Sequence, residues 1–370
     1  MATYNIYYDP SATGDGSGDS WANAYTSLQT ALNDVLIDNV HSVDLFVKSP
    51  SDEIVYTSFD DYIDISSGGG THNKWLSIIG VKYATTNEPP VSSDEFGPGE
   101  YFLIERRLED MAEDSFLHIF GCGSVQLRNI EIKGSAVEND FMVDLYSSVN
   151  KFHFLFRNCK IHNCECCVLG QATQVQNIVF LDCILGGAYG QPVYVYSSPM
   201  TFINCLFIKD MDGLTGGDYA ISKPAGSVRL INCIFDGFGR VCSSSGGTDI
   251  LAVNCLFKDT STCSISTFTT PHMIIDINNI HSVVDSGGRA IIDSGGVAIS
   301  LGCNIGPATT YSQVSDKGLE LNITTGLAFA FDNYIPTNPA SWYSGYPDIS
   351  GNSTQPGAAK LLPKPGGGLL

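Results

Sequence analysis

Basic residues are scarce in this chain: 19 Lys and Arg stand against 39 Asp and Glu, a formal charge of −20 over 370 residues. So acidic a surface repels nucleic acid and anionic membranes at long range. A polyanionic sugar is equally disfavoured unless a local basic strip or bound Ca²⁺ reverses the field. No run of 18 or more apolar residues occurs, so no membrane-spanning helix is expected. The opening MATYNIYYDP has neither a basic region nor an apolar stretch, so no secretory signal is expected. Synthesis and retention in a cytoplasm follow, unless a mature chain has gained a new Met. Helical periodicity is missing from Gly123 to Ile280, which excludes the mixed strand–helix solenoids.

That stretch is filled by one short phrase that keeps returning. It reads VQLRNIEI at Val125–Ile132, FLFRNCKI at Phe154–Ile161, IVFLDCIL at Ile178–Leu185 and MTFINCLF at Met200–Phe207. It continues as VRLINCIF at Val228–Phe235, ILAVNCLF at Ile250–Phe257 and, worn down, IIDINNI at Ile274–Ile280. The anchors are Asn129, Asn158, Asp182, Asn204, Asn232, Asn254 and Asn278, spaced by 29, 24, 22, 28, 22 and 24 residues. A period in the twenties with variable insertions marks a solenoid built coil by coil. Apolar and β-branched residues alternate with polar ones around each anchor, so the local element is a strand. Second apolar runs such as Phe141–Tyr146 and Pro192–Tyr196 give each coil two or three strands. Asn at a fixed position suits a left-handed bend, and its side chain can bond the next coil. The expected fold is all-β: a single-stranded right-handed parallel β-helix with an internal asparagine ladder.

Cysteine is plentiful, with twelve, and five follow the anchors directly: Cys159, Cys183, Cys205, Cys233 and Cys255. In-register parallel neighbours rarely offer disulfide dihedrals, so these are expected to be reduced thiols filling the core. At the N-terminus, Ser20 is the expected cap of an amphipathic helix over Trp21–Asp38 that covers the open end of the rod. The expected divisions are 1–42 for strand, loop and capping helix, 43–305 for the β-helix, 306–346 for a loop-rich C-terminal cap and 347–370 for an extended tail. Such a tail is either disordered or ordered by a neighbouring subunit.

The opening YYDPSATGDGSGDSWANAYTSLQTAL, Tyr7–Leu32, together with the Asn-Cys-x-Phe phrase, resembles right-handed β-helix proteins of the pectate-lyase-like superfamily. The resemblance covers roughly the first 280 residues and implies the fold. That superfamily includes lyases, hydrolases, adhesins and phage tailspike or virion proteins, so function has to come from the site. Its polygalacturonase signatures Asn-Thr-Asp, Gly-His-Gly and Arg-Ile-Lys are absent, and its Asp-Asp pair has one literal match, Asp60-Asp61, without the other motifs. The expected role is therefore a non-enzymatic structural and binding protein of a virion, assembled in a host cytoplasm. The tail would dock on other virion proteins, a homotrimer is compatible, and glycan binding is admitted. A polysaccharide depolymerase and an extracellular surface adhesin are the alternatives.

If the chain is an enzyme, Asp210, Asp212, Asp218 and Asp236 are the carboxylates that one excursion and the next coil could bring together. Arg128 and Arg157 precede their anchors and would stack as solvated outer-face residues. Cys159, His162, Cys164, Cys166 and Cys167 have the composition of a metal site, but strand alternation would send Cys164 and Cys166 one way and Cys167 the other. His118, His153 and His281 read as ordinary surface or groove residues. No cofactor is required, although the DGSGDS loop faintly resembles a Ca²⁺ loop without its ligand spacing. Tyr194 and Tyr196 alternate with Val193 and Val195, and the tyrosines are expected to face out as a sugar- or protein-docking ledge.

Overall fold

The computed structural model describes residues 3–331, apart from 38–40, 57–62, 67–71, 108–114, 121, 137–139, 147–151, 171–174, 197, 223–225, 245–247, 268–272, 284–288, 294–296, 302, 307–318 and 322–326. The chain winds through three parallel sheets of twelve, ten and ten strands. One coil shows the order: Phe152–Arg157 lies in sheet 1, Lys160–Cys164 in sheet 2 and Cys166–Gly170 in sheet 3. The next coil repeats it with Val175–Leu181, Ile184–Ala188 and Val193–Val195, each paired in parallel with its predecessor. Ten complete coils stack this way between Ser42 and Leu321. The fold is a parallel β-helix.

At the bend from sheet 1 to sheet 2 a single residue is left-handed, and that residue is the anchor. Asn129, Asn158, Asp182, Asn204, Asn232, Asn254 and Asn278 all have φ between 48° and 58°. An ordinary L-residue pays about 1–2 kcal/mol to enter this region, and Asn and Asp enter it most easily after Gly. Each anchor N–H then donates to the next coil, as from Asn204 to Ile231 O at 3.0 Å. The side chains form a second column, with each Nδ2 donating to the Oδ1 below: Asn204 to Asp182 at 3.0 Å, Asn232 to Asn204 at 3.2 Å and Asn254 to Asn232 at 3.3 Å. Asn278 donates to Asn254 at 2.6 Å and Asn158 to Asn129 at 2.9 Å. The ladder departs from expectation in position. It stands on the outer corner, where Asp182, Asn204 and Asn232 are exposed, because a left-handed residue between two strands turns its side chain away from the core.

Alternate residues point inward and stack on their counterparts. Phe156, Phe180 and Phe202 lie in parallel with centroids 4.6 and 4.7 Å apart, and Phe207, Phe235 and Phe257 at 4.5 and 5.4 Å. Such pairs add about 0.5–1.5 kcal/mol each beyond the area they bury. The cysteine column fills the corner behind the ladder, buried, with thiols donating to carbonyls such as Phe180 O from Cys205 at 3.5 Å. All ten described cysteines are free, and burial pushes the Cys183 thiol well up, which keeps it protonated.

The N-terminal lid is shorter than expected. The helix is Leu28–Ile37, and Leu28, Ala31, Leu32 and Val35 close the rod against Ile6, Leu45 and Ile63. Its cap is Ser27, whose Oγ accepts the Thr30 N–H at 3.3 Å, and not Ser20. Tertiary contacts override helical spacing over Trp21–Tyr25. Tyr25 exchanges backbone hydrogen bonds with Tyr7 and Asp9, and Trp21 meets Tyr7 edge to face beneath Lys48. At the other end stacking runs past residue 305, since Leu319–Leu321 and Leu327–Phe331 extend sheets 3 and 1. The 347–370 tail and most of the expected cap lie outside the described residues.

Asp182 has no side-chain N–H to give, so the side-chain ladder is interrupted between Asn158 and Asp182. Replacing Asp182 with Asn should join the two runs and raise unfolding stability by about 0.5–1.5 kcal/mol, the net worth of one hydrogen bond. Asn232→Ala should lower it by about 2–3 kcal/mol through backbone strain and two lost bonds. Denaturant melts of the two variants against wild type check both signs.

Candidate functional site

Every carboxylate that the sequence nominated lies on or beside the excursion after Leu206–Ile208, and the structure shows what each one holds. Met211–Leu214 is a tight hairpin turn in which Asp212 and Gly213 have φ of 53° and 84°. Asp-Gly suits this left-handed turn. Met211 and Leu214 pack down, and the hairpin lies back across Gly186-Gly187 of the preceding coil. A side chain at Gly186 would meet Ile208 O at 2.1 Å, so glycine makes the room. The tip then reaches a residue two coils away: Asp212 Oδ2 is 2.8 Å from His162 Nδ1.

His162 points outward from sheet 2 yet is 1% exposed, because the hairpin covers it. Its Nε2 meets Glu131 Oε1 at 2.7 Å, and Lys160 Nζ reaches the same oxygen at 2.9 Å. Burial raises the Glu131 pKa, but the hydrogen bonds from His162 and Lys160 and the Lys160 charge outweigh it, and the carboxyl is held at about 2. The result is a carboxylate–imidazole–carboxylate clamp in which His162 is hydrogen-bonded to Glu131, while Asp212 on the other side is an ion-pair contact at 2.8 Å without hydrogen-bond geometry at Nδ1. A glycosidase instead needs two carboxyls flanking an open sugar site. Here His162 occupies the gap between Glu131 and Asp212. The remaining candidates are engaged separately: Asp218 with Lys209 at 2.8 Å, Asp236 with Lys258 at 2.7 Å, and Asp210 with the Gly216 N–H at 3.0 Å. The structure therefore joins Asp212 to His162 and leaves the four Asp residues without a common focus.

The cysteine cluster is also arranged differently from the expectation. Cys164 and Cys167 are the pair that meet, with sulfurs 3.6 Å apart in the core, while Cys166 turns to Val168 O. The corner at Glu165 resets the alternation between two strands. His162 belongs to the outward clamp and Cys159 to the column. His118 sits 3.3 Å from Asp144 on sheet 3, and His153 stacks on Trp75 at 6.5 Å. His281 is buried instead of superficial. Arg128 and Arg157 are register neighbours on the outer face, with Arg128 paired to Glu95 and Arg157 exposed. In the DGSGDS loop, Asp15 and Asp19 bond the Ser17 N–H and the Asn23 amide. Asp60-Asp61 lies outside the described residues.

The outer faces differ in character. Sheet 3 carries the tyrosines: Val193 and Val195 are buried, Tyr196 is 42% exposed, and the Tyr194 and Tyr196 rings meet edge to face at 5.0 Å with hydroxyls 3.2 Å apart. Sheets 1 and 2 instead present aliphatic rows on both sides of the ladder. Leu181, Ile203, Ile231, Val253 and Ile277 are register neighbours on one side. Ile184, Leu206, Ile234, Leu256 and Ile280 follow each other on the other. Five coils at the ordinary strand spacing make these rows about 20 Å long. All ten side chains point outward, and Ile234 is 42% exposed. These rows were readable, since phrases such as Leu-Ile-Asn-Cys-Ile-Phe are apolar at both parities, which a half-solvated sheet does not need.

No family model and no curated protein matches the chain. Among solved structures, it is similar to the crystal structure of the Dettilon tailspike protein (gp208). The TM-score is 0.52 at 10% sequence identity, covering 90% of this chain and 62% of that one. The chain thus spans less than two thirds of that tailspike's length, and the likeness is one of fold: a parallel β-helix of the kind a tailspike uses.

The clamp has a pH signature. Glu131 has its folded pKa below the ordinary 4.5, so its contribution is complete above that value and is lost as pH falls towards about 2. Glu131→Gln should melt below wild type at pH 6, and the gap should close as pH is lowered through 4.5 towards 2. Equal melting temperatures at pH 6 would mean that the clamp contributes nothing.

Proposed function

We propose that this chain is a non-enzymatic structural and binding component of a phage virion, a tailspike-like β-helix assembled in the host cytoplasm. The observation that carries the reading is the pair of aliphatic rows beside the ladder. Ten outward-facing apolar side chains in two contiguous strips, nine half-buried and Ile234 exposed, mark an interaction face. In a molecule of charge −20, the ten positions of those rows carry no charge, so this is the face on which another protein can approach without like-charge repulsion. The neighbouring subunit is a second and third copy of the chain, packed about the ladder corner as a homotrimer, with other virion proteins held through the tail. Sheet 3 then faces outward, and its Tyr194–Tyr196 ledge offers aromatic surface to a glycan.

The engagement of Asp210, Asp212, Asp218 and Asp236 in clamps, ion pairs and a turn supports a binding role over a depolymerase. Sedimentation of the full chain should give a trimer, and Ile234→Asp with Leu206→Asp should shift it to monomer while the coils stay folded by circular dichroism. A wild-type chain that is monomeric at every concentration overturns the association face. Incubation with a broad glycan panel should leave polymer length unchanged. Chain cleavage that disappears in Asp210→Asn, Asp212→Asn or Asp218→Asn would instead establish the depolymerase.

A further inference from the structure

The ninth coil breaks the interior pattern at three places that meet. In sheet 1 the inward residue Ala252 is followed on the next coil by Asp276, and in sheet 2 Phe257 is followed by His281. In the cysteine column Asn279 stands where Cys255 stood, and Cys303 resumes the column one coil later. Asp276, His281 and Cys303 are buried at 0–1% exposure. His281 Nε2 lies 3.1 Å from Asp276 Oδ2, and Cys303 Sγ lies 3.2 Å from the same oxygen. One carboxylate oxygen, one imidazole nitrogen and one sulfur all fall within 4.8 Å of one another. Each comes from a different segment, and the other described core positions of these columns are mostly Phe, Ile, Leu, Ala or Cys.

We propose that Asp276, His281 and Cys303 bind one divalent transition-metal ion of the zinc type inside the rod. Tetrahedral zinc with bonds of about 2.0–2.3 Å sets its donors roughly 3.3–3.6 Å apart, so the two separations from Asp276 Oδ2 need adjustments of a few tenths of an ångström, and the His281 and Cys303 donors already lie within 4.8 Å of each other. Charge is compatible with the assignment. The buried Asp276 carboxylate is already held by contacts to Asn279, His281 and Cys303, and a dication would exchange the last two for metal bonds. On binding, the ion displaces the Cys303 thiol proton to solvent and a metal–sulfur bond forms. A dication with one carboxylate, one thiolate and a neutral imidazole makes a neutral centre, the form least penalised in an apolar interior.

The surroundings hold the Asp276 carboxylate and set the His281 ring plane, while His281 Nδ1 is buried without a hydrogen-bond partner among the described residues. Asn279 Nδ2 donates to Asp276 Oδ1 and to Ala252 O at 3.0 Å, while its Oδ1 accepts the Cys255 N–H at 2.6 Å. The amide thus fixes the carboxylate so that its second oxygen faces His281 and Cys303. His281 stacks on Phe257 at 4.7 Å and 12°, which sets its ring plane.

Because the site is closed, the ion must enter as the chain folds. Full-length protein refolded in reducing buffer with Co²⁺ should retain about one ion per chain after gel filtration and show a thiolate-to-cobalt charge-transfer band. Cys303→Ala should abolish the band and the retained ion. So should the double change Asp276→Ala with His281→Phe, which restores the residues of the preceding coil and keeps the core filled. Failure of wild type to retain the ion overturns the proposal. So does a band that survives in Cys303→Ala, which would place the metal elsewhere, as at the Cys164–Cys167 pair.

Discussion

The structure depends on one repeated constraint: a single residue must turn the chain left-handed between two strands while its amide stays in the hydrogen-bond run of the coils. Asn meets both demands and adds a side-chain bond to the coil below; Asp182 also turns and keeps its backbone N–H on Ile203 O and accepts from Asn204 above, but has no side-chain N–H to give to Asn158. Once that corner is fixed, the strands before and after it are in register with the coils above and below. Phe stacks on Phe and Cys on Cys because the backbone leaves them no other neighbour. The repeated phrase therefore specifies shape, and chemistry has to come from departures from it.

Those departures fall into two kinds. Outward ones build the surface: the hairpin that carries Asp212 onto His162, the tyrosine ledge on sheet 3 and the aliphatic rows on sheets 1 and 2. Inward ones place charge where the pattern calls for hydrocarbon. Arg106 with Asp140 at 3.1 Å is one such place in the early coils, and the Asp276–His281–Cys303 group is another. A buried ion pair is weak support for stability, since desolvation offsets much of the attraction, so its partners must be retained together.

The coil architecture, the anchor residues and the reduced cysteine column were legible in the sequence because a period of about 24 residues repeats the same environment many times over. The candidate site was far less so. Glu131, Lys160, His162 and Asp212 come from three coils, and no local pattern shows that a two-residue glycine gap at Gly186-Gly187 lets a later hairpin fold backward. His281 read as a surface residue because the worn phrase at Ile274–Ile280 hides which parity faces in. The order of Cys164 and Cys167 was lost at the Glu165 corner, where alternation restarts. Trp21–Tyr25 had helical spacing but were claimed by partners distant in sequence, including Asn87 O for the indole N–H at 3.0 Å.

The hairpin clamp bears on how the rod comes apart. A solenoid in which each coil touches only its neighbours can fray one unit at a time, like a stack of coins. Asp212 reaches past the adjacent coil to His162, so three coils are tied into one unit that must open together. Fraying from either end would then stall at this girdle, and the rod's middle would outlast its tips under heat, protease or pulling force.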